Sequence, residues 1–555
     1  MPEPQRRLKD QGIAALFLIP AAVLLLSSVS LAVISLGWPY GPDHAIMTVV
    51  GRAWRLGSPP YSAFVDVKGP AAYLPYLVSD WIGGGSMAAV RVLDLVAVCA
   101  AVVIMYRALR AVIGVRAAAW SALLLFGICY RVGYIESAQP DEWAALGTAA
   151  GFALLLHHRT HLPPWLFVVT GLVTGLAALA KPQFAVMGGV PLLVAFLWQG
   201  GAARTRSIVT LVFASLTPVV VMCAVLMAQG ALGDMVTVAT GPLMREYLKA
   251  RAIFPTTMPE LIATIQFPLL TSYGSPLFLL GALGAYEAVT RLDRRLAIAL
   301  LTWFAGAFFV VAVQGRYFPY HWFPVLPPLC ILAALALGRM LPEWAGAPLT
   351  PGRIPLLAAG LLALLALTAS FAGRSARNVI AVVNGTRSGL PLADAVSRTV
   401  DPIGSPPRRR SNLETAAYLA AHAGSGREVG TWLYDPSPLL LARVTPNVPL
   451  FFIHPVLSKQ SVVADSILQV LTAELHREAP PLFVLDCNTA WQPGTAPPER
   501  SPWLVQELRD HYDRAFTSGA LMVYQRRAEP RGGVSGRTTV ADSTLCGARP
   551  AASPG

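Results

Sequence analysis

Charge is scarce in this chain. Only 13% of its 555 residues are Asp, Glu, Lys or Arg, and 55% are hydrophobic. Soluble globular domains carry about 25% charged residues. The shortfall, with a mean hydropathy of +0.54, excludes an ordinary soluble enzyme and makes lipid the solvent of most of the chain. Acids are scarcer than bases, which leaves a formal net charge of +13. No basic run is interleaved with aromatics in the manner of a nucleic-acid surface; many arginines sit in short loops between apolar runs, which favours a membrane. Cysteine is also sparse, with six residues. No CxxC or Cys/His spacing suggests a zinc module or a redox pair. Cys99, Cys129, Cys223 and Cys330 fall inside apolar runs and read as small hydrophobes. Cys487 and Cys546 are a disulfide candidate if the C-terminal region is extracytoplasmic. There is no P-loop and no Gly-rich phosphate cradle, so nothing points to a nucleotide. The first apolar run is too long for a signal-peptide core and lacks a clear small-residue cleavage site, and reads as a retained helix. No internal repeat is visible.

Apolar runs of about bilayer length are abundant. A helix needs about 20 apolar residues to cross the hydrocarbon. Such runs occur at about 13–36, 87–107, 117–134, 142–158, 163–181, 184–200, 207–229, 272–290, 295–314, 320–339 and 353–372, eleven in all. The expected fold is therefore an all-α polytopic bundle of about eleven transmembrane helices, with a small C-terminal α/β domain. With the N-terminus in the cytoplasm, the inner loops hold Arg107, Arg110 and Arg116, Arg159, Arg204 and Arg206, Arg291, Arg294 and Arg295, and Arg339 and Arg353. They are short and basic, as the positive-inside rule requires. The outer loops are longer, hold the acids, and include two large ones at 37–86 and 230–270. An odd number of spans places the C-terminal region outside. The expected division is a membrane domain at 1–373, a soluble domain at 374–530 and a disordered tail at 531–555. Within the soluble domain, a capping box at Ser411–Glu414 predicts a helix to about His422. Strand-like runs lie at Val429–Leu433, Leu450–Ile453, Leu482–Leu485 and Ala520–Tyr524, with helices at about 460–476 and 502–511.

Polar residues at a membrane edge are expensive and commonly functional, and here they gather on the outer side. Asp43, just past the first span, is placed to act as a general base, or to cap the helix that follows. Tyr61, Asp66 and Lys68 follow in the same loop. Lys68 suits a phosphate at headgroup level, or snorkels. Glu136 and Asp141, in the short loop 136–142, suit sugar hydroxyls or a cation, or helix-start capping. Lys181 precedes Pro182 at an outer helix end. Arg316, Tyr320 and His321 lie in an aromatic run; a guanidinium suits bidentate phosphate binding, while the aromatics equally suit an interface belt.

These patches, in this order, resemble the lipid-linked-sugar glycosyltransferases of the GT-C superfamily, of the type of the protein mannosyltransferases and the aminoarabinose transferases of lipid A. The similar segments are YSAFVDVKGPAAYLPY, TGLVTGLAALAKPQ, GRYFPYHWFPVLPPLCILAAL and NLETAAYLAAHAGSGREVGTWLYDPSPLLLARVTP. The resemblance implies a multi-span helical core with a large first outer loop. It implies transfer of a sugar from a polyprenyl phosphate to an acceptor at the outer face. An acid in the first outer loop is then the catalytic base, which falls on Asp43. The lysine after the first-loop acid holds the lipid phosphate, which falls on Lys68. Some members carry an acid directly before this lysine and use it, with a histidine, to bind a metal. Here that position is Val67, with Asp66 one further back, so the resemblance does not carry a metal site over and a divalent metal stays an open alternative. His44 stands where other members have a second acid.

The reading is an inverting glycosyltransferase of the plasma (inner) membrane. Its partners are a polyprenyl-phosphate sugar and a glycan, lipid or protein acceptor. Asp43 is the base; Lys68, Arg316 and His321 hold the donor phosphate; Asp66, Glu136, Asp141, Tyr61, Tyr320 and Lys181 contact sugar or acceptor. The alternative is a transporter or flippase of a lipid-linked saccharide, which would want charges along the spans; Asp94 and Glu287 are the candidates. A non-enzymatic sensor or assembly protein would leave the clustered acids and bases unexplained.

Overall fold

The structure is a computed structural model. It describes residues 3–242 except 63 and 65; 244, 245, 258 and 262; 271–341 except 316; 343; 350–400 except 352; 406–446 except 425–427 and 434; 473; 475–487; and 502–528. Arg316, Cys546, most of the second outer loop, the strand expected at 450–453, most of the helix expected at 460–476 and the tail lie outside the described residues.

Each apolar run coincides with a helix. The first nine helices are α1 (Glu3–Ser35), α2 (Pro42–Arg55), α3 (Leu74–Gly83), α4 (Met87–Ile113), α5 (Val115–Arg131), α6 (Pro140–His157), α7 (Pro164–Ala180), α8 (Gly189–Trp198) and α9 (Gly201–Ala228). The helices Gly274–Arg291, Arg294–Gln314, Leu326–Leu335 and Ile354–Arg387 follow. Among the described residues, five helical stretches are long and apolar enough to cross a membrane: Ala15–Ser35, Met87–Ile113, Gly201–Ala228, Arg294–Gln314 and Ile354–Arg387. This is a multi-pass membrane protein. The last of these helices runs well past the expected end near 372. Large apolar side chains such as Leu26, Phe213 and Leu362 point outward and are exposed, an arrangement that suits lipid and not water.

Local chemistry sets the helix ends. Pro42, Pro140 and Pro164 open their helices at a position where the missing N–H costs nothing. Asp293 caps Arg294–Gln314 by accepting from Arg295 N (3.1 Å) and Leu296 N (3.2 Å), and Gly315 ends it in the left-handed region at φ 63°. Small residues let the helices approach: a Cβ on Gly284 would stand 1.6 Å from the carbonyl oxygen of Leu332, a contact only glycine permits.

Among the described residues, the C-terminal region forms a five-stranded mixed sheet of order β2-β1-β3-β5-β4. Its strands are β1 (Glu428–Trp432), β2 (Thr445–Pro446), β3 (Leu482–Asp486), β4 (Tyr512–Ser518) and β5 (Leu521–Arg526). Three of the predicted strand runs coincide with β1, β3 and β5. The helix expected at Ser411 begins at Pro406 instead. Glu414 therefore caps nothing and accepts from Arg410 and from Ser518 Oγ, each at 2.7 Å. Buried Arg408 donates to Asp486 Oδ2 at 2.7 Å. Cys487 is disulfide-bonded, and Cys99, Cys129, Cys223 and Cys330 are free thiols. One apolar cluster joins this region to the first loop: Leu419, Val429, Leu439 and Leu440 pack with Ala45, Val49 and Trp54 of α2.

Two buried side chains fasten loop 132–139 at this end of the bundle. Arg91 of α4 donates to Tyr134 O (2.6 Å) and to Ser137 Oγ (2.7 Å) and O (3.2 Å). His44 Nδ1 accepts from Gly41 N at 3.2 Å, so its Nε2–H donates to Ser137 O at 2.8 Å. That neutral tautomer fits its surroundings: burial first, then the Arg91 charge, hold the His44 imidazole down at about 3.

Gly284→Ala is expected to destabilise the detergent-solubilised protein by about 1–3 kcal/mol or more, because backbone must move. Gly306, which has nothing within 4 Å of a built Cβ, supplies the control; equal melting of the two alanine variants would refute the packing argument. His44 titrates lower folded than unfolded, so its stabilisation is complete above about pH 6.5 and is lost as pH falls toward 3. The melting temperature should fall across that window in wild type and fall less in His44→Gln. Parallel curves would assign the pH dependence elsewhere.

Candidate active site

Asp43 stands in the first turn of α2, but the N-cap is Gly41, and the side chain that reaches back to it is His44 and not Asp43. The Asp43 carboxylate instead meets Lys68, whose Nζ lies 3.4 Å from Asp43 Oδ1 and 3.3 Å from Asp66 Oδ2. Asp43 is partly exposed and Asp66 is 2% exposed. Asp66 is held on both oxygens: Val67 N donates to Oδ1 at 2.7 Å, and Tyr73 O–H donates to Oδ2 at 3.1 Å. Burial and the neighbouring Asp66 charge push the Tyr73 phenol well above its ordinary value, so it stays a donor. Tyr61 O–H donates to Lys68 O at 2.7 Å.

A second group surrounds Lys181. Lys181 Nζ sits 2.5 Å from Asp141 Oδ2, which is wholly buried, and 3.5 Å from Gln314 Oε1. The same ammonium stands 5.1 Å from the centre of the Tyr320 ring. Glu136 Oε2 accepts from the Tyr320 backbone N–H at 3.1 Å. His321 is buried beside Tyr320, with ring centres 4.5 Å apart. Arg316, the remaining candidate, lies outside the described residues.

The two groups share a seam. Gly69 N–H donates to Ala180 O at 3.1 Å, so the residues next to Lys68 and Lys181 are bonded to each other. A closed circuit results. It runs from Asp43 through its neighbour His44 to Ser137, from Glu136 to Tyr320 and Lys181, and from Ala180 through Gly69 to Lys68 and back to Asp43. Nine of the ten predicted site residues lie on it or touch it. Backbone strain collects here too: Tyr61 (φ 76°), Ala138 (φ 59°) and Tyr317 (φ 53°) are left-handed non-glycine residues in the three loops concerned. Ala138 is pinned there, its N–H donating to Glu142 Oε2 at 2.6 Å and its oxygen accepting from Tyr76 at 2.7 Å.

Sequence reasoning named Asp94 of the layer beneath, as a charge a transporter would want, but passed over Arg91 and Tyr76. Arg91, Asp94, Glu142 and Tyr76 are all buried, and Asp94 accepts from Trp143 Nε1 at 2.9 Å. The available signal was an Arg and an Asp three residues apart in an apolar run, a costly pair that needs partners. It also passed over Arg131, which donates to Ser272 (3.1 Å) and Ser370 (2.9 Å) and lies 4.6 Å from the Tyr273 ring centre. Arg374 and Arg377 are in its electrostatic neighbourhood.

No model of a known protein family matches the chain, and no curated protein is detectably similar to it. Solved structures are similar in shape. ArnT from Cupriavidus metallidurans bound to undecaprenyl phosphate has 15% identity and a TM-score of 0.56, over 93% of this chain and 98% of that one. The apo state of the same protein gives 14% identity and 0.53 over the same shares. Likeness at that identity is likeness of fold, and the chain has the fold of the GT-C glycosyltransferases.

Proposed function

We propose that the chain is an inverting glycosyltransferase that moves a sugar from a polyprenyl phosphate to an envelope glycan, lipid or protein at the outer face of the membrane. The observation that carries this reading is the Asp43–Lys68 pair on the closed circuit, a carboxylate and an ammonium 3.4 Å apart at one end of the bundle. The Asp43 carboxylate takes the proton of an acceptor hydroxyl as its oxygen bonds to the anomeric carbon. The bond from that carbon to the phosphate oxygen breaks, and the electron pair leaves with the polyprenyl phosphate. Lys68, with Arg316 and His321, stabilises the charge left there. Attack from the face opposite the leaving group inverts the anomeric centre. Asp66 serves chiefly to fix the Lys68 ammonium, since both its oxygens are already engaged. Glu136, Asp141, Tyr61, Tyr320 and Lys181 shape the sugar and acceptor side.

Several features support this placement. The circuit is built from the C-terminal ends of α1, α7 and Arg294–Gln314 and the N-terminal ends of α4 and α6, so it occupies one end of antiparallel helices. The arginines of the short basic loops belong to the opposite helix ends, and the positive-inside rule puts those in the cytoplasm. We take eleven spans, an N-terminus inside, a membrane domain at 1–373 and an external domain at 374–530 that covers the site or recognises the acceptor. That ArnT is solved with undecaprenyl phosphate bound supports a lipid-phosphate donor. The charges considered for a transporter are otherwise occupied. Glu287 faces Arg291 (3.6 Å) and Arg339 (3.8 Å) at the far end of its helix.

Purified protein in lipid, given labelled undecaprenyl-phosphate sugars and envelope fractions as acceptor, should transfer label. Asp43→Asn should lower turnover by about 10²–10⁴-fold while the donor still binds, and Lys68→Ala should weaken donor binding as well. Full activity in Asp43→Asn would remove the assigned base. Asp66→Asn should act like a mild Lys68 defect, leaving acceptor dependence unchanged.

A further inference from the structure

A second cluster lies in the C-terminal region, outside the circuit. Glu507 and His511 are one helical turn apart on Pro502–His511, so they share a face. His476, from the short helical stretch before β3, meets them. His476 Nδ1 is 3.1 Å from Glu507 Oε2, and His511 Nδ1 is 3.2 Å from Glu507 Oε1. One ligand atom from each residue lies within 4.8 Å of the others. Four-coordinate zinc with bonds of about 2.1 Å has ligand–ligand edges of about 3.4 Å, close to the two measured separations.

The second contact is not a hydrogen bond. Glu507 is 8% exposed and its Oε1 has no hydrogen-bond partner, although an imidazole nitrogen stands 3.2 Å away. His511 Nδ1 is directed to the Glu507 backbone oxygen at 3.3 Å instead. A buried carboxylate oxygen left without a donor is costly. A cation placed between that oxygen and the two imidazoles would satisfy it. Two neutral imidazoles and a carboxylate also match the ligand set of zinc sites that keep a fourth position open, and the exposed side of His476 leaves room for water there.

We propose that His476, Glu507 and His511 bind a divalent transition ion of the zinc type, which clips the segment before β3 to the helix before β4. The site needs no part of the glycosyl-transfer reading. Its sequence signal is faint, since only the Glu-x-x-x-His pair is local and the third ligand lies 31 residues away.

Full-length protein with any affinity tag removed, stripped by chelator and then titrated with zinc, should bind one ion at this site. Cobalt in its place should give the intense visible bands of a tetrahedral complex. His476→Ala/His511→Ala should lose both signals, and zinc should raise the melting temperature of wild type but not of this variant. The metal-free variant should melt as metal-free wild type does, which separates loss of a ligand from loss of the fold. Unchanged zinc binding in the double variant, or octahedral cobalt spectra in wild type, would overturn the proposal.

Discussion

The arrangement of the site depends on one close approach, the hydrogen bond from Gly69 to Ala180. It brings the first large loop against the end of α7. Any side chain at Gly69 would prevent it, because a Cβ there would stand 1.9 Å from the carbonyl oxygen of Leu179. Without that seam, Lys68 and Lys181 would belong to separate surfaces. With it, the two ion-pair groups are joined through adjacent residues. The loop gains the rigidity of the helix it meets, which a catalytic constellation requires.

The two lysines differ in what holds them. Asp141 is wholly buried and 2.5 Å from Lys181. Breaking such a pair by removing one partner typically costs about 3–5 kcal/mol, because a charge is left uncompensated. Lys181 is thus bound into the structure, and only its remaining N–H groups and the Tyr320 face are available to a ligand. Lys68 is held more loosely, at 3.3 and 3.4 Å, and Asp43 beside it is 29% exposed. On the proposed reading, a donor phosphate that reaches Lys68 takes the place of Asp43, and the freed carboxylate accepts the proton. Phosphate binding and base activation then become one event.

Much of this was legible in the sequence. The apolar runs gave the helices because lipid-facing and core-facing positions are both apolar, and length alone marks them. Asp43, Lys68, Glu136, Asp141 and Lys181 were visible because charge at a membrane edge is conspicuous. Their pairing was not. Nothing in the spacing shows that Lys181 meets Asp141, a contact made by helix packing, or that Asp66 turns inward to Tyr73, which depends on the path of an irregular loop. The capping box at Ser411 misled for a related reason. The local pattern is sound, but the helix had already begun at Pro406, and Glu414 found a better partner in Ser518 across the domain.

Arg91 shows why buried charge resists reading from sequence. In an apolar run an arginine suggests a pathway or a counter-ion. Here its guanidinium spends its donors on Tyr134 O and on Ser137, and so fixes the loop that carries Glu136. Asp94, three residues along the same helix, accepts from Trp143 on one oxygen, and its other oxygen is buried with no hydrogen-bond donor among the described residues. Both charges are hydrogen-bonded to the loop or to the helix that follows it. The layer beneath the circuit therefore works as its foundation. It converts the positions of α4 and α6 into the placement of Glu136 and Asp141, and through them into the placement of Tyr320 and Lys181.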